Sequence, residues 1–145
     1  MATSSFNGEI CIHDLSEAEC ISQLCQLPKH HDGPVYHVSW AHPFTSSDCT
    51  YLASCGVDKK VIIWRHDAHV KHIDPSQPEK SLSVFKSGWE PEFIYDGFSS
   101  SVNSVEFAPY QYGTCLAAVG SQKKMVIITK MGEKWTVDEI EENVP

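Results

Sequence analysis

Three histidines spaced by three, His66, His69 and His72, stand beside Asp67 and Asp74 and carry residue types that can ligate zinc. Over a helix, however, the six-residue separation turns the third side chain well off the face of the first. All three also lie in an inserted stretch next to the loop-like PSQP of Pro75 to Pro78, so a solvated loop is the stronger expectation. Six cysteines, Cys11, Cys20, Cys25, Cys49, Cys55 and Cys115, form no CxxC pair and fall well below the density of a disulfide scaffold. They read as reduced thiols, mostly small core fillers. Asp138, Glu139, Glu141 and Glu142 alternate imperfectly with Val137 and Ile140. That run reads as a solvated strand edge that discourages sheet-to-sheet aggregation, with a partner's basic patch as the sharper alternative. No cofactor and no metal is expected from these groups.

The elements that would position any such groups are bounded by composition. At 145 residues and 16.2 kDa the chain has the size of one ordinary domain, and 41% hydrophobic with 21% charged residues excludes wholesale disorder. Eleven Lys and Arg against 19 Asp and Glu give a net charge of -8 with no basic cluster, which disfavours direct nucleic-acid binding. The longest apolar stretches, such as Val61 to Trp64 and Met125 to Ile128, are far shorter than the roughly 18 residues that span a bilayer. Membrane contact is therefore expected only through partners. Residues 1–15 show neither a basic n-region nor a continuous apolar h-region, which favours the cytosolic side.

Self-similarity organises the rest. LASCGVDKKVIIWR, Leu52 to Arg65, aligns with LAAVGSQKKMVIITK, Leu116 to Lys130, and with the opening MATSSFNGEICIHD, giving three repeat units. PVYHVSWAHP, Pro34 to Pro43, matches SVNSVEFAP, Ser101 to Pro109, and Trp89 in GWEPEFIYD matches Trp135 in EKWTVDEIE. The alignment leaves extra residues near Thr45 to Asp48 and a longer insertion between Trp64 and Trp89. Each unit holds short runs rich in Val, Ile, Trp and Phe bounded by Gly, Asp, Pro or Ser, which is a strand signature. Val61 and Ile63 should face one side of a sheet and Ile62 and Trp64 the other, so both faces need covering. Units of about 40–45 residues with four antiparallel strands resemble propeller blades of the WD-repeat class.

That resemblance implies an all-β fold: a partial WD-repeat β-propeller of four-stranded antiparallel blades in an open ring. Residues 1–27 are expected to be an incomplete first blade (strands b–d), 28–95 a second blade with a long c–d insertion at 66–88, and 96–145 a third. In the repeat class, strands are lettered a to d, and a buried network joins a His before strand a, a Ser or Thr in strand b, an Asp in the b–c turn and a Trp in strand c. His31, Ser54, Asp58 and Trp64 occupy those places in the second unit. Their implied role is cohesion. A Ser, a His and an Asp also suggest a nucleophilic triad, but no GxSxG elbow or oxyanion device accompanies them. The third unit has Phe98, Ala118, Gln122 and Ile128 at these positions; the first keeps Thr3 and Asn7 and places His13 where the Trp would be.

HDGPVYHVSWAHP, LASCGVDKKVIIWR and SSVNSVEFAPYQYG closely resemble the second and third blades of the small WD-repeat propeller subunit shared by the COPII outer coat and the Y-shaped nuclear-pore scaffold. The resemblance covers nearly the whole chain and about two and a half of six blades. It implies a scaffold without enzymatic activity, whose helical-solenoid coat or nucleoporin partner completes the propeller by blade addition. The implied places are the cytoplasmic face of the endoplasmic reticulum, the COPII vesicle coat and the nuclear pore. Alternatives are a generic WD-repeat adaptor, for example in a nutrient-signalling assembly, and a truncated non-functional fragment. His30-His31 and Gly97-Phe98 depart from the family, which usually has Gly-His there. Three blades cannot close a ring of the usual 4–8, so apolar outer faces should be left over.

Overall fold

A computed structural model of the chain describes residues 1–15, 22–67 and 88–141. They form eleven strands in three antiparallel sheets, and the only helical element among them is one 3-10 turn at Tyr110–Tyr112. The first sheet orders β1 (Ala2–Ser4), β2 (Ile10–Asp14) and β3 (Ser22–Gln26). The second is a meander of β4 (Val35–Trp40), β5 (Cys49–Gly56), β6 (Val61–Asp67) and β7 (Trp89–Tyr95). The third repeats it with β8 (Val102–Phe107), β9 (Cys115–Gly120), β10 (Lys124–Met131) and β11 (Lys134–Glu141). This is an open stack of propeller blades, as the repeat pattern implies.

Two layers of core lie between the three sheets. Ile62, Trp64 and Leu52 leave one face of the second sheet to meet Ile10 and Ile12 of the first. Val61, Ile63, Ala53 and Cys55 leave the opposite face to meet Val102, Val105, Leu116, Ala118, Val126 and Ile128 of the third. Alternate residues of β6 thus feed different cores, which a strand permits and a helix does not. Polar links tie the innermost strands: Val35 N–H donates to Ser5 O at 3.1 Å, and Phe107 N–H to Ser39 Oγ at 3.2 Å. His37 Nδ1 lies 2.8 Å from Val105 O.

The repeat extends to details of the backbone. The register of β4 on β5 shifts between Val35 and His37, and that of β8 on β9 between Val102 and Ser104, the aligned residues. Likewise the shift between Ile12 and His13 in β2 recurs between Ile63 and Trp64 in β6. The turn joining each aligned strand pair holds one residue at positive φ: Gly8 at 88°, Lys59 at 68° and Lys123 at 58°. Only in the first unit has glycine met this demand, and there crowding requires it too, since a Cβ on Gly8 would lie 2.9 Å from the carbonyl oxygens of Gly33 and His31.

Left-handed backbone costs a non-glycine residue about 1–2 kcal/mol, partly offset in glycine by its unfolded-state entropy. Lys123→Gly, at an exposed position, should therefore raise stability by about 0.5–1 kcal/mol in urea titration. Gly8→Ala should lower it. Equal effects of the two substitutions would refute this account of the turn.

Candidate functional site

A chain of hydrogen bonds runs through the second sheet from its surface turn to its core. Asp58, in the β5–β6 turn, takes the backbone N–H of Asp32 at 3.1 Å and of Lys60 at 3.4 Å. Its Oδ2 lies 2.9 Å from His31 Nδ1, and His31 Nε2 lies 2.7 Å from Ser54 Oγ. Trp64 Nε1–H donates to the same Ser54 Oγ at 2.9 Å. One proton arrangement satisfies every member. The imidazole is neutral with its proton on Nδ1 facing Asp58, Ser54 O–H donates to Nε2, and Ser54 Oγ accepts from the indole. Burial holds the imidazole below its ordinary 6.5 against the opposing pull of Asp58, which agrees with that neutral form. The structure thus brings His31, Ser54, Asp58 and Trp64 into one linked set.

The first two links have the geometry of a hydrolytic triad, but the environment does not suit one. Ser54, His31 and Trp64 are almost wholly buried, at 0%, 1% and 0% exposure. The lone pair that would attack a substrate is directed at an indole N–H. Strands of the same sheet flank Ser54, with Val38 opposite it on one side and Ile62 on the other. A carbonyl carbon has no approach, and no oxyanion donors could surround it.

The aligned positions of the other sheets solve the same packing problem differently. In the third sheet Phe98, Ala118 and Ile128 are buried, and Gln122 Oε1 accepts the Ser99 N–H at 2.9 Å. Phe98 takes the place of the imidazole and lies against Gly120, where an added Cβ would be only 2.8 Å from the ring. In the first sheet Thr3 Oγ1 and His13 Nε2 are 2.7 Å apart, keeping the hydroxyl-to-ring link with an imidazole in place of the indole. Asn7 Nδ2 donates to Glu9 Oε2 at 2.8 Å in the corresponding turn.

A second polar cluster, which the sequence did not single out, bolts the second sheet to the third. Glu92 Oε1 receives Lys130 Nζ at 2.9 Å and Arg65 Nη1 at 3.1 Å, while Oε2 receives Trp135 Nε1 at 3.1 Å. Lys130 also donates to Tyr51 Oη at 2.6 Å and lies over the Tyr51 and Trp135 rings. Burial pushes the Glu92 carboxyl upward, but the bonds and charge of Lys130, with those of Arg65 and Trp135, outweigh it and hold it below the usual carboxylate value. No sequence signal marks this cluster, because its members come from five strands of two sheets.

His66 belongs to β6 rather than to the insertion loop: it pairs with Trp89, its ring 5.1 Å from the indole, and is buried. His69 and His72 lie outside the described residues. Among those described, no three His, Cys, Asp or Glu side chains could hold a metal ion together. Cys49 and Cys55 are buried free thiols, and burial pushes the Cys55 thiol up to about 12. Asp138, Glu139 and Glu141 lie on β11, the outer strand of the third sheet, where Glu139 pairs with the buried Lys124 at 2.9 Å and accepts the Tyr95 hydroxyl.

Among the described residues, two apolar surfaces are left uncovered. On the outer face of the third sheet, Ala117, Met125 and Ile127 are half-buried while Val119 and Ile140 are exposed. At the ends of β4 and β8, His42 stacks on Tyr110 with ring centroids 4.9 Å apart, and Phe44 packs edge-on to Tyr110 at 5.7 Å. Phe44 and Tyr112 are 76% and 75% exposed, unusually high for aromatic side chains.

The WD domain, G-beta repeat family matches residues 20–65. Protein SEC13 homolog of Drosophila melanogaster is 34% identical over 89% of this chain and 30% of its own length. Protein transport protein SEC13 of Mycosarcoma maydis is 36% identical over 95% of this chain and 39% of its own length. The chain therefore spans about a third of the length of these relatives. Among solved structures, Sqt1 of Saccharomyces cerevisiae superposes with a TM-score of 0.62 over 88% of this chain and 31% of its own, at 14% identity. That likeness concerns the fold alone.

The cavity left by Trp64→Ala should cost about 3–5 kcal/mol in denaturant unfolding. Ser54→Ala leaves an indole N–H and an imidazole nitrogen buried without partners, a loss of about 2–4 kcal/mol. A Trp64→Ala chain that melts like the wild type would show that this residue is misplaced. Stability should also fall on acidification in two stages. Because the folded chain binds its His31 proton less readily than the unfolded chain, stability is full above 6.5 and declines as pH drops below it. The Glu92 contribution is full above 4.5 and is lost as pH falls through its lowered folded value. Urea midpoints from pH 8 to 3 read both stages, and Glu92→Gln should remove only the lower one.

Proposed function

From the premise that the chain is a partial WD-repeat propeller similar to SEC13 proteins, we propose that it is a non-enzymatic scaffold component of the COPII coat, the nuclear pore, or both. It acts by protein–protein contact. The observation that carries this reading is the similarity along most of the chain to SEC13 proteins, one of them named for protein transport, together with a stack of sheets in which Ser54, His31 and Trp64 are sealed by packing. The residues 1–27, 28–95 and 96–145 are read as an incomplete blade and two full ones, and the set His31, Ser54, Asp58 and Trp64 as the cohesion network of the second.

The partner is a helical-solenoid coat or nucleoporin subunit that completes the propeller by adding a blade, so backbone pairing and apolar stacking supply the contact. Direct nucleic-acid contact is not part of the reading, since the charge of -8 repels phosphates. Membrane contact is indirect, through the coat. The places of action are the cytoplasmic face of the endoplasmic reticulum, the vesicle coat and the nuclear pore.

Affinity capture of the tagged chain from cells should retrieve a helical-solenoid coat or nucleoporin subunit at near-equal stoichiometry. Capture of neither, or of an unrelated complex alone, would overturn the assignment.

A further inference from the structure

The seam between the second and third sheets holds two lysines in the same way. Lys130 Nζ lies 5.0 Å from the centre of the Tyr51 ring and 5.3 Å from that of Trp135, with Glu92 Oε1 at 2.9 Å. Lys124 Nζ lies 5.8 Å from the centre of the Tyr95 ring and 5.7 Å from that of Phe98, with Glu139 Oε2 at 2.9 Å. Each set places two rings and a carboxylate around one ammonium, so ring quadrupole and formal charge attract the cation together. A third set of rings and carboxylates stands on the rim of this seam without a cation. His42 and Phe44, from the loop at 41–48, pack on Tyr110, from the connection at 108–114. Adjoining them, a cavity of about 320 Å³ lies between the two sheets, lined by Thr45, Asp48, Thr114 and Glu133 together with Arg65 and Lys130. Asp48 and Glu133 are exposed and pair with no cation among the described residues. Neither the loop nor the connection contains Lys or Arg, and the two cations that line the cavity are both committed to Glu92. Thr45 Oγ1, buried in the cavity wall, has no hydrogen-bond partner among the described residues. Both flanking sheets have all four strands, so the rim is built wholly from this chain.

We propose that this rim binds a basic segment of another polypeptide, an Arg or Lys seating at Asp48 and Glu133 while an apolar neighbour rests on Phe44 and Tyr110. The two unneutralised carboxylates, on a molecule of net charge -8, select a cationic segment. An acidic or phosphorylated segment would meet like charge there. The exposed rings of Phe44 and Tyr112 give apolar cover to the carbon stem of a long basic side chain and to its neighbour. The contact uses neither an added blade nor an outer sheet face, so its failure leaves the coat or pore reading untouched.

Titration of the isotopically labelled chain with a synthetic peptide of alternating arginine and leucine should move the amide signals of residues 44–48, 110–114 and 133. A peptide of alternating glutamate and leucine should leave them in place. Asp48→Asn combined with Glu133→Gln should weaken binding of the arginine peptide about ten-fold. Phe44→Ala should weaken it about three-fold. All three side chains are exposed, so these variants should melt as the unmodified chain does. Should one unfold, the comparison of the two peptides on the unmodified chain decides. Equal binding of the two peptides, shifts confined to other residues, or a double variant that binds the arginine peptide undiminished would each overturn the proposal. So would shifts of these residues that depend on protein concentration without peptide, which would assign the rim to a second copy.

Discussion

A β-sheet that is apolar on both faces cannot exist alone in water, and this constraint underlies every other feature of the molecule. Within β6, Val61 and Ile63 enter one core while Ile62 and Trp64 enter the other, all four at 0% exposure. Removing such side chains from water stabilises by about 1.5–3 kcal/mol each, but only where a second sheet arrives on each side. The repeat is the economical answer, since one unit serves as cover for the next. Among the described residues the central sheet is covered on both sides, and the first and third are each covered on one.

Apolar burial is non-directional and would tolerate sliding of sheets or a shift in turn position. The hydrogen-bond chain from Asp58 through His31 and Ser54 to Trp64 removes that freedom in the second sheet, because each partner has a fixed direction and no solvent to replace it. The third sheet reaches the same end by shape, with Phe98 lodged against Gly120 and Ile128 in place of the indole. Between these two sheets, the Glu92 cluster and the buried Lys124 supply further direction at points the apolar core does not reach.

What was legible in the sequence followed from local pattern. Alternating Val, Ile and Trp marked the strands, and self-alignment located the propeller-like units and matched Phe98, Ala118 and Ile128 to positions that are indeed core. What was hidden depends on neighbours far along the chain. His66 looked like part of a solvated loop because it stands in the inserted stretch beside PSQP, yet pairing with Trp89 extends β6 past it and buries it. Glu92 carries no local signal, since the stacking of sheets is what brings Lys130 and Trp135 to it. Lys59 and Lys123 carry no turn signature, since lysine at positive φ is set by the closure of the strand pair and not by residue preference.

The buried serine shows why a constellation must be judged with its surroundings. Asp58, His31 and Ser54 align as they would for proton abstraction, but abstraction is useful only when the oxygen has a free lone pair and an electrophile within reach. Here Trp64 holds that lone pair, and the imidazole is neutral because burial outweighs the carboxylate beside it. An exposed version of the same three residues would gain a lone pair and lose the rigidity that the indole confers. The features that hold the sheet together are therefore the ones that deny Ser54 the role of a nucleophile.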